Sequence, residues 1–124
     1  MREIKFRAVI QDELTDYTKI VNVDCIDFFK QEIRYHDKEC VWHRHFSTIE
    51  AILQYTGRKS KNGKEIYKGD ILQFIINGKK VLGDVCFDYG SWGVGGFTGN
   101  LYILLKNYEV EIIGNIYENP ELIE

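Results

Sequence analysis

The sequence lacks an excess of basic charge and lacks any long apolar run. Its net charge is −3 at neutral pH, whereas a dedicated DNA-binding domain usually carries a basic excess. Its uncharged apolar runs are far too short to span a bilayer, and the opening residues, MREIKFRAV, do not resemble a signal peptide. We therefore expect a cytoplasmic protein that makes no contact with membranes.

Paired cysteines are also missing. The chain has three, Cys25, Cys40 and Cys86, which are odd in number and widely spaced, so we expect free thiols rather than a disulfide framework. Hydrophobic residues make up 44% of the 124 residues, which is enough to form a core without stabilisation by disulfides or a bound metal. A length of this order suits one domain or two small subdomains.

No catalytic motif is present. Ser91 and the pair Ser47-Thr48 lie in no nucleophile elbow. The glycine-rich segment 89–100, YGSWGVGGFTGN, lacks the Lys-Ser/Thr ending of a phosphate-binding loop. A pairing of Cys40 with a histidine would need an orienting group and an oxyanion site that the sequence does not locate. We predict a non-enzymatic protein with no catalytic residue and no cofactor.

A histidine-rich segment, HDKECVWHRH, holds four chemically competent zinc ligands. A helix would place His36, Cys40 and His43 on one face, whereas a strand would place only His43 and His45 together. No single conformation presents all four side chains, and no second ligand pair follows at finger-like spacing. We therefore predict that this segment binds no metal.

What the sequence does contain is typical of strands. Aromatic residues reach 14%, and together with many Val and Ile residues they favour β structure. In the first part we predict strands at 3–10, 17–23 and 51–55, a turn at 11–16, and a helix at 26–34 that Asp24 caps. The first strand places Ile4, Phe6 and Ala8 on one face, and a helix ending at Gly57 is the alternative for 51–55.

The second part is a succession of short strands. Asn62-Gly63 and Asn77-Gly78 indicate type I′ hairpin turns, in which both residues have positive φ. We predict that 101–107 is a strand and that Asn119 and Pro120 begin a single helical turn. This pattern indicates an SH3-like small β-barrel over 51–124, beside a hairpin and helix subdomain over 1–50, the two forming one compact and mainly β domain.

The stretch 54–72, QYTGRKSKNGKEIYKGDIL, concentrates basic charge. Between residues 58 and 68, five cations accompany one acid, Glu65: they are Arg58, Lys59, Lys61, Lys64 and Lys68. The acidic end of the chain has the opposite balance, with Lys106 as its one cation: its acids are Glu109, Glu111, Glu118, Glu121 and Glu124. The cations either simply form a solvated face or bind phosphate groups. A further alternative is that they pair with the acidic end, either within one molecule or between two copies of the chain.

Three aromatic residues of the glycine-rich segment are the other candidates for an interaction surface. Tyr89, Trp92 and Phe97 could stack on bases or dock a peptide. Packing inside a small barrel is the competing interpretation, since such a barrel needs its aromatics in the core.

The basic stretch resembles the hallmark segment of the YopX family, which is carried mainly by phages and prophages of Gram-positive bacteria. The matching residues are Gln54, Tyr55, Thr56, Gly57, Asn62, Gly63, Lys64, Glu65, Ile66, Tyr67, Gly69, Asp70 and Ile71. Lys5–Ala8, KFRA, is similar to the family's opening, and Ile112–Glu124, IIGNIYENPELIE, to its ending. The resemblance implies a mostly β fold with an SH3-like barrel in the second half, and it implies no reaction.

The resemblance implies a phage or prophage accessory protein, which we expect in the cytoplasm of a bacterial host. We expect a protein-interaction module that binds a host or phage protein and forms a homo-oligomer, with residues 24–50 carrying the specificity. The alternative is single-stranded nucleic-acid binding through Trp92 and the basic residues Arg58, Lys59, Lys61 and Lys64.

Overall fold

The computed structural model describes residues 3–12, 14–15 and 17–123. It divides into an N-terminal unit, Ile4–Gln54, and a C-terminal unit whose described residues are 3 and 55–123. The predicted turn at 11–16 therefore lies partly outside the described residues, as does Glu124 of the acidic end.

The N-terminal unit is an antiparallel sheet with the strand order β4-β3-β2-β1-β5. Its strands are β1 (Phe6–Gln11), β2 (Thr18–Asp27), β3 (Glu32–Asp37), β4 (Cys40–His45) and the first part of β5 (Ile49–Lys59). The core is formed by the buried residues Ala8, Ile10, Val21, Ile33 and Tyr35. Ala8 faces this core as predicted, but Ile4 precedes β1 and is 78% exposed.

The predicted helix at 26–34 is wrong, because this segment is a hairpin. β2 runs on to Asp27, β3 begins at Glu32, and Ile26 lies opposite Ile33 in the pairing. The Asp27 carboxylate accepts a hydrogen bond from the backbone N–H of Lys30 and so stabilises the turn. The spacing of Ile26, Phe29 and Ile33 suits a helix, but Phe29 belongs to the turn and is 97% exposed.

The C-terminal unit contains the second part of β5, which pairs with β6 (Glu65–Tyr67), and a four-stranded antiparallel sheet of order β10-β7-β8-β9. These strands are β7 (Asp70–Ile76), β8 (Lys79–Asp88), β9 (Ser91–Val94) and β10 (Glu111–Asn115). The mainly β class is confirmed. The pairings among the described residues close no barrel, so the SH3-like barrel stays a prediction.

The predicted strand at 101–107 is wrong, because it is the helix α1 (Leu101–Asn107). The Asn100 side chain caps the helix by accepting a hydrogen bond from the Ile103 N–H at 2.9 Å. Leu101 and Leu104, three residues apart, are buried in the core of this unit. Burial of one helical face against the sheet decides the conformation, since the apolar letters alone suit a strand equally well.

The two Asn-Gly turns differ. Asn77 and Gly78 have φ of 52° and 78°, so the predicted type I′ turn between β7 and β8 is confirmed. Asn62 is not among the residues with positive φ; instead the Gly63 N–H donates to the Ser60 carbonyl in a turn over 60–63, and Gly63 alone has positive φ. The five-residue connection between Lys59 and Glu65 allows this geometry.

The remaining predicted features are close to the structure. Asn119 and Pro120 begin a single 3-10 turn, Pro120–Leu122, as predicted, although the Asn119 side chain makes no cap bond. Ile66 and Tyr67, which are neighbours on β6, are both buried, at 0% and 2% exposure. The buried Asp70 carboxylate accepts the Tyr67 N–H at 2.8 Å, which stabilises the bend into β7.

Candidate functional site

The five predicted basic residues are all exposed, but they do not share one environment. Arg58 and Lys59 end β5, Lys61 and Lys64 lie on the 60–64 connection, and Lys68 separates β6 from β7. Among the described residues, Lys61 is the one of the five that forms an ion pair.

Lys61 joins the basic stretch to the acidic end. Its Nζ lies 3.3 Å from the Glu109 carboxylate and 3.1 Å from that of Glu111. Hydrogen bonds to Glu111 and Glu109 raise the pKa of Lys61 above its ordinary value. At this residue the opposed charges meet within one molecule, which is one of the arrangements that the sequence left open.

Arg58 and α1 form a cluster of cations on an aromatic ring. The Arg58 guanidinium carbon lies 4.8 Å from the centroid of the Tyr102 ring, and the Lys106 Nζ lies 6.0 Å from the same centroid. Tyr102 and Lys106 are four residues apart on α1 and so share one helical face. Both distances are within the range of cation–π interactions, and residue Tyr102 remains 47% exposed.

Two adjoining hollows flank this cluster, and we call them together the Tyr102 cleft. The first has a volume of about 640 Å³ and is lined by Glu3, Tyr55, Gly57, Arg58, Lys59, Tyr102, Leu105 and Lys106. The second has a volume of about 570 Å³, and its lining also includes Phe87, Ser91 and Trp92. Gly57, Arg58 and Tyr102 belong to both hollows, so one surface combines three cations with several aromatic side chains.

The three aromatic candidates separate into different roles. Trp92 is partly buried, packs edge-to-face on Phe87 at 5.0 Å and lines the Tyr102 cleft. Phe97 packs between Phe74 at 6.1 Å and Tyr108 at 5.9 Å, as the core interpretation predicts. Tyr89 is fully exposed at the turn between β8 and β9 and does not line the cleft.

The histidine-rich segment is divided among separate partners. His36 pairs with the Asp24 carboxylate, and the His43 Nδ1 lies 3.2 Å from the Glu32 carboxylate. The His45 Nδ1 accepts the Ser47 N–H at 3.1 Å and so caps a 3-10 turn, Phe46–Thr48. In the described part of the chain, no group of three His, Cys, Asp or Glu residues is arranged to hold a metal ion.

Sequence reasoning missed Tyr102 and Lys106, which are two of the three residues of the cluster. In the predicted strand at 101–107, residues four apart are far from each other along the strand, so Lys106 would not reach the Tyr102 ring. The signal was the apolar spacing, since Leu101, Leu104 and Leu105 have the helical period and Asn100 is a good N-cap.

Fold and surface together define a small, mainly β protein with a basic and aromatic cleft. The family model described as YopX protein matches residues 5–124, and the chain belongs to this family. No helix of the described residues is long and apolar enough to cross a membrane.

A solved structure has the same fold. It is the crystal structure of protein EF1440 from Enterococcus faecalis, which is 23% identical to this chain, with 100% of each chain covered and a TM-score of 0.68. No curated protein matches this chain in sequence.

Proposed function

We propose that this YopX protein is a non-enzymatic module that binds single-stranded nucleic acid in the Tyr102 cleft. It acts in the cytoplasm of a bacterium that carries the phage or prophage. The observation that supports this proposal is the convergence of Arg58 and Lys106 on one exposed aromatic ring.

The electrostatics of the cluster favour an anionic ligand. Arg58 and Lys106 bring two positive charges to the Tyr102 ring, and neither forms an ion pair with a described residue. A phosphate bound beside these two side chains would neutralise their charge and would add charge-assisted hydrogen bonds. Lys59 lines the same hollow, so the three cations there outnumber its one acid, Glu3.

The aromatic lining favours unpaired bases. The exposed ring of Tyr102 offers a face on which a base can stack, and Trp92 lines the adjoining hollow. Duplex readout is disfavoured, because α1 has only seven residues and two of them are buried in the core. With a net charge of −3, binding must come from this local patch, so we expect a steep dependence on salt.

The test is fluorescence anisotropy with labelled single-stranded DNA and RNA oligonucleotides at several salt concentrations. We expect Tyr102→Ala to weaken binding by roughly tenfold, since stacking on an aromatic is worth about 1–3 kcal/mol per base. Tyr102→Phe keeps the ring and retains binding. Arg58→Ala lowers the slope of log K against log salt by roughly 0.7, as expected for one lost phosphate contact.

Lys64→Ala is the matched charge control, because Lys64 is exposed and does not line the cleft. It should change affinity much less than Arg58→Ala. No anisotropy change at low salt, or a change that Tyr102→Ala and Arg58→Ala leave intact, would overturn the proposal.

Protein interaction through the N-terminal unit is the second candidate function. Large apolar side chains stand exposed there, with Phe29 at 97%, Phe28 at 77% and Trp42 at 47%. Scattered exposed apolar residues are normal, but side chains this exposed in the segment 24–50 favour a docking surface for a host or phage protein. A tagged pull-down from host lysate with nuclease added tests it: partners should persist in the wild type and be lost in Phe29→Ser.

A further inference from the structure

The outer edge of β4 is open. β4 is the last strand of its sheet and, among the described residues, pairs on one side only, with β3. Val41 is 49% exposed and Trp42 47% exposed. The strand contains neither proline nor lysine, the residues that commonly protect an edge from pairing with another chain.

The backbone groups on this edge follow from the pairing with β3. The Phe46 N–H donates to the Gln31 carbonyl at 2.7 Å. Gln31 and Phe46 therefore form a hydrogen-bonded pair next to the pair of Glu32 and His45, in the same β3–β4 register. Hydrogen-bonded and non-bonded pairs alternate along an antiparallel ladder. Cys40, Trp42 and Arg44 therefore bond to β3, whereas Val41, His43 and His45 direct their N–H and C=O groups outward.

We infer that two copies of this chain associate by antiparallel pairing of their β4 edges about a two-fold axis at His43. In this register His43 lies opposite His43 of the second copy, and Val41 lies opposite His45. All three outward-facing residues then exchange hydrogen bonds, which makes the edge self-complementary. The inference goes beyond both candidate functions and names a second copy of this chain as the partner.

The side chains favour the same register. Trp42 of one copy lies opposite Arg44 of the other, and the symmetry repeats this pair, so two cation–π contacts form. Arg44 is already held, because its Nη2 donates to the Gln11 carbonyl at 2.8 Å, so ordering it costs little further rotamer entropy. A register centred on Trp42 instead would leave the outward groups of His45 without a strand partner.

The charges around His43 are compatible with this pairing. Its Nδ1 lies 3.2 Å from the Glu32 carboxylate, and Arg34 is its neighbour across the β3–β4 pairing. Each imidazole therefore has an acidic partner in its own chain. The Glu32 carboxylate also balances the positive charge of Arg34, so charge of one sign does not accumulate where the two rings face each other.

The first experiment is sedimentation velocity of the full chain over a range of concentrations. We expect the wild type to show a concentration-dependent dimer and His43→Pro to remain a monomer. Proline removes an N–H that points away from β3, so the hairpin keeps its own hydrogen bonds and the circular dichroism spectrum should be unchanged. His43→Thr is the matched control, because it keeps the N–H and should keep the dimer.

Cysteine cross-linking tests the register and does not depend on proline being tolerated. In a Cys40→Ser background, His43→Cys should form a covalent dimer under mild oxidation, since Cα atoms about 5.5 Å apart in a bonded pair suit a disulfide. Trp42→Cys in the same background should cross-link far less.

Three outcomes would overturn the inference. They are a wild type that stays monomeric at all concentrations, a dimer that a folded His43→Pro variant retains, and preferential cross-linking through Trp42→Cys. None of them bears on binding of oligonucleotides by Tyr102 or on lysate partners that Phe29→Ser loses, so failure of this inference is distinguishable from failure of either candidate function.

Discussion

At the scale of single residues, the tightest constraint in the C-terminal unit is the approach of Gly83 to Gly95. A Cβ built on Gly83 would lie 1.8 Å from the Gly95 carbonyl oxygen, which is a backbone atom and cannot rotate away. Gly83 is buried within β8, and Gly95 directly follows β9, the strand that pairs with β8. The glycine is therefore needed for space rather than for a turn.

We expect Gly83→Ala to lower the free energy of unfolding by at least about 3 kcal/mol, because the added methyl forces two backbones apart. Gly93→Ala is the matched control within the same sheet, since its Cβ would meet nothing closer than the Cys86 Sγ at 4.0 Å. That variant should differ from the wild type by less than about 1 kcal/mol. Denaturant unfolding followed by circular dichroism measures both, and equal losses would contradict the account.

At the scale of elements, the hairpin of β8 and β9 carries local strain. Its turn residues Tyr89 and Gly90 have φ of 50° and 79°, and positive φ is unfavourable for a bulky side chain. Tyr89 is fully exposed, so no packing compensates for this conformation. The sequence signal was weak, because tyrosine is not a residue that type I′ turns favour.

We expect Tyr89→Asn to raise the free energy of unfolding by roughly 0.5–1 kcal/mol, because asparagine adopts positive φ more readily. The same variant should leave oligonucleotide affinity unchanged, since Tyr89 does not line the Tyr102 cleft. Thermal unfolding and anisotropy test the two statements separately. A loss of affinity with a gain in stability would instead assign Tyr89 a binding role.

At the scale of the whole molecule, charge separation along the sequence is partly neutralised in the fold. Lys61 brings the basic stretch against Glu109 and Glu111, close to the end of the chain. The pKa of Lys61 is raised by these hydrogen bonds, so folding favours its protonated form. This stabilisation is fully present below the ordinary lysine pKa of 10.5 and is lost as the pH rises above it.

We therefore expect Lys61→Met to lower the melting temperature slightly at pH 7. The difference from the wild type should shrink above about pH 10.5 and at high salt. The effect is small because the Glu109 side chain is 85% exposed and water screens the pair. Lys64→Met is the control, since Lys64 forms no ion pair with a described residue; a pH-independent difference for Lys61→Met would contradict an ionic cause.

Some of the architecture was decided by local sequence alone. Asn77-Gly78 predicts its hairpin because both residues accept positive φ at low cost and only two residues join the strands, whereas the longer connection around Asn62-Gly63 adopts another turn. The mainly β class follows in the same way from residues that fit a pleated surface, and the hallmark stretch with its two flanking blocks predicted the family. These features depend on few neighbours, so the sequence determines them.

Only the tertiary structure decided the rest. Residues 26–34 form a hairpin instead of the predicted helix, because Ile26 pairs with Ile33. Residues 101–107 form a helix instead of the predicted strand, because Leu101 and Leu104 are buried in the core. In both segments these contacts outweigh the weak local preferences of a short stretch. The Tyr102 cleft required Arg58 on a strand to meet Lys106 on a helix, and no local pattern predicts that meeting. Contacts between residues distant in sequence are set by which surfaces bury one another, and that is a property of the folded chain.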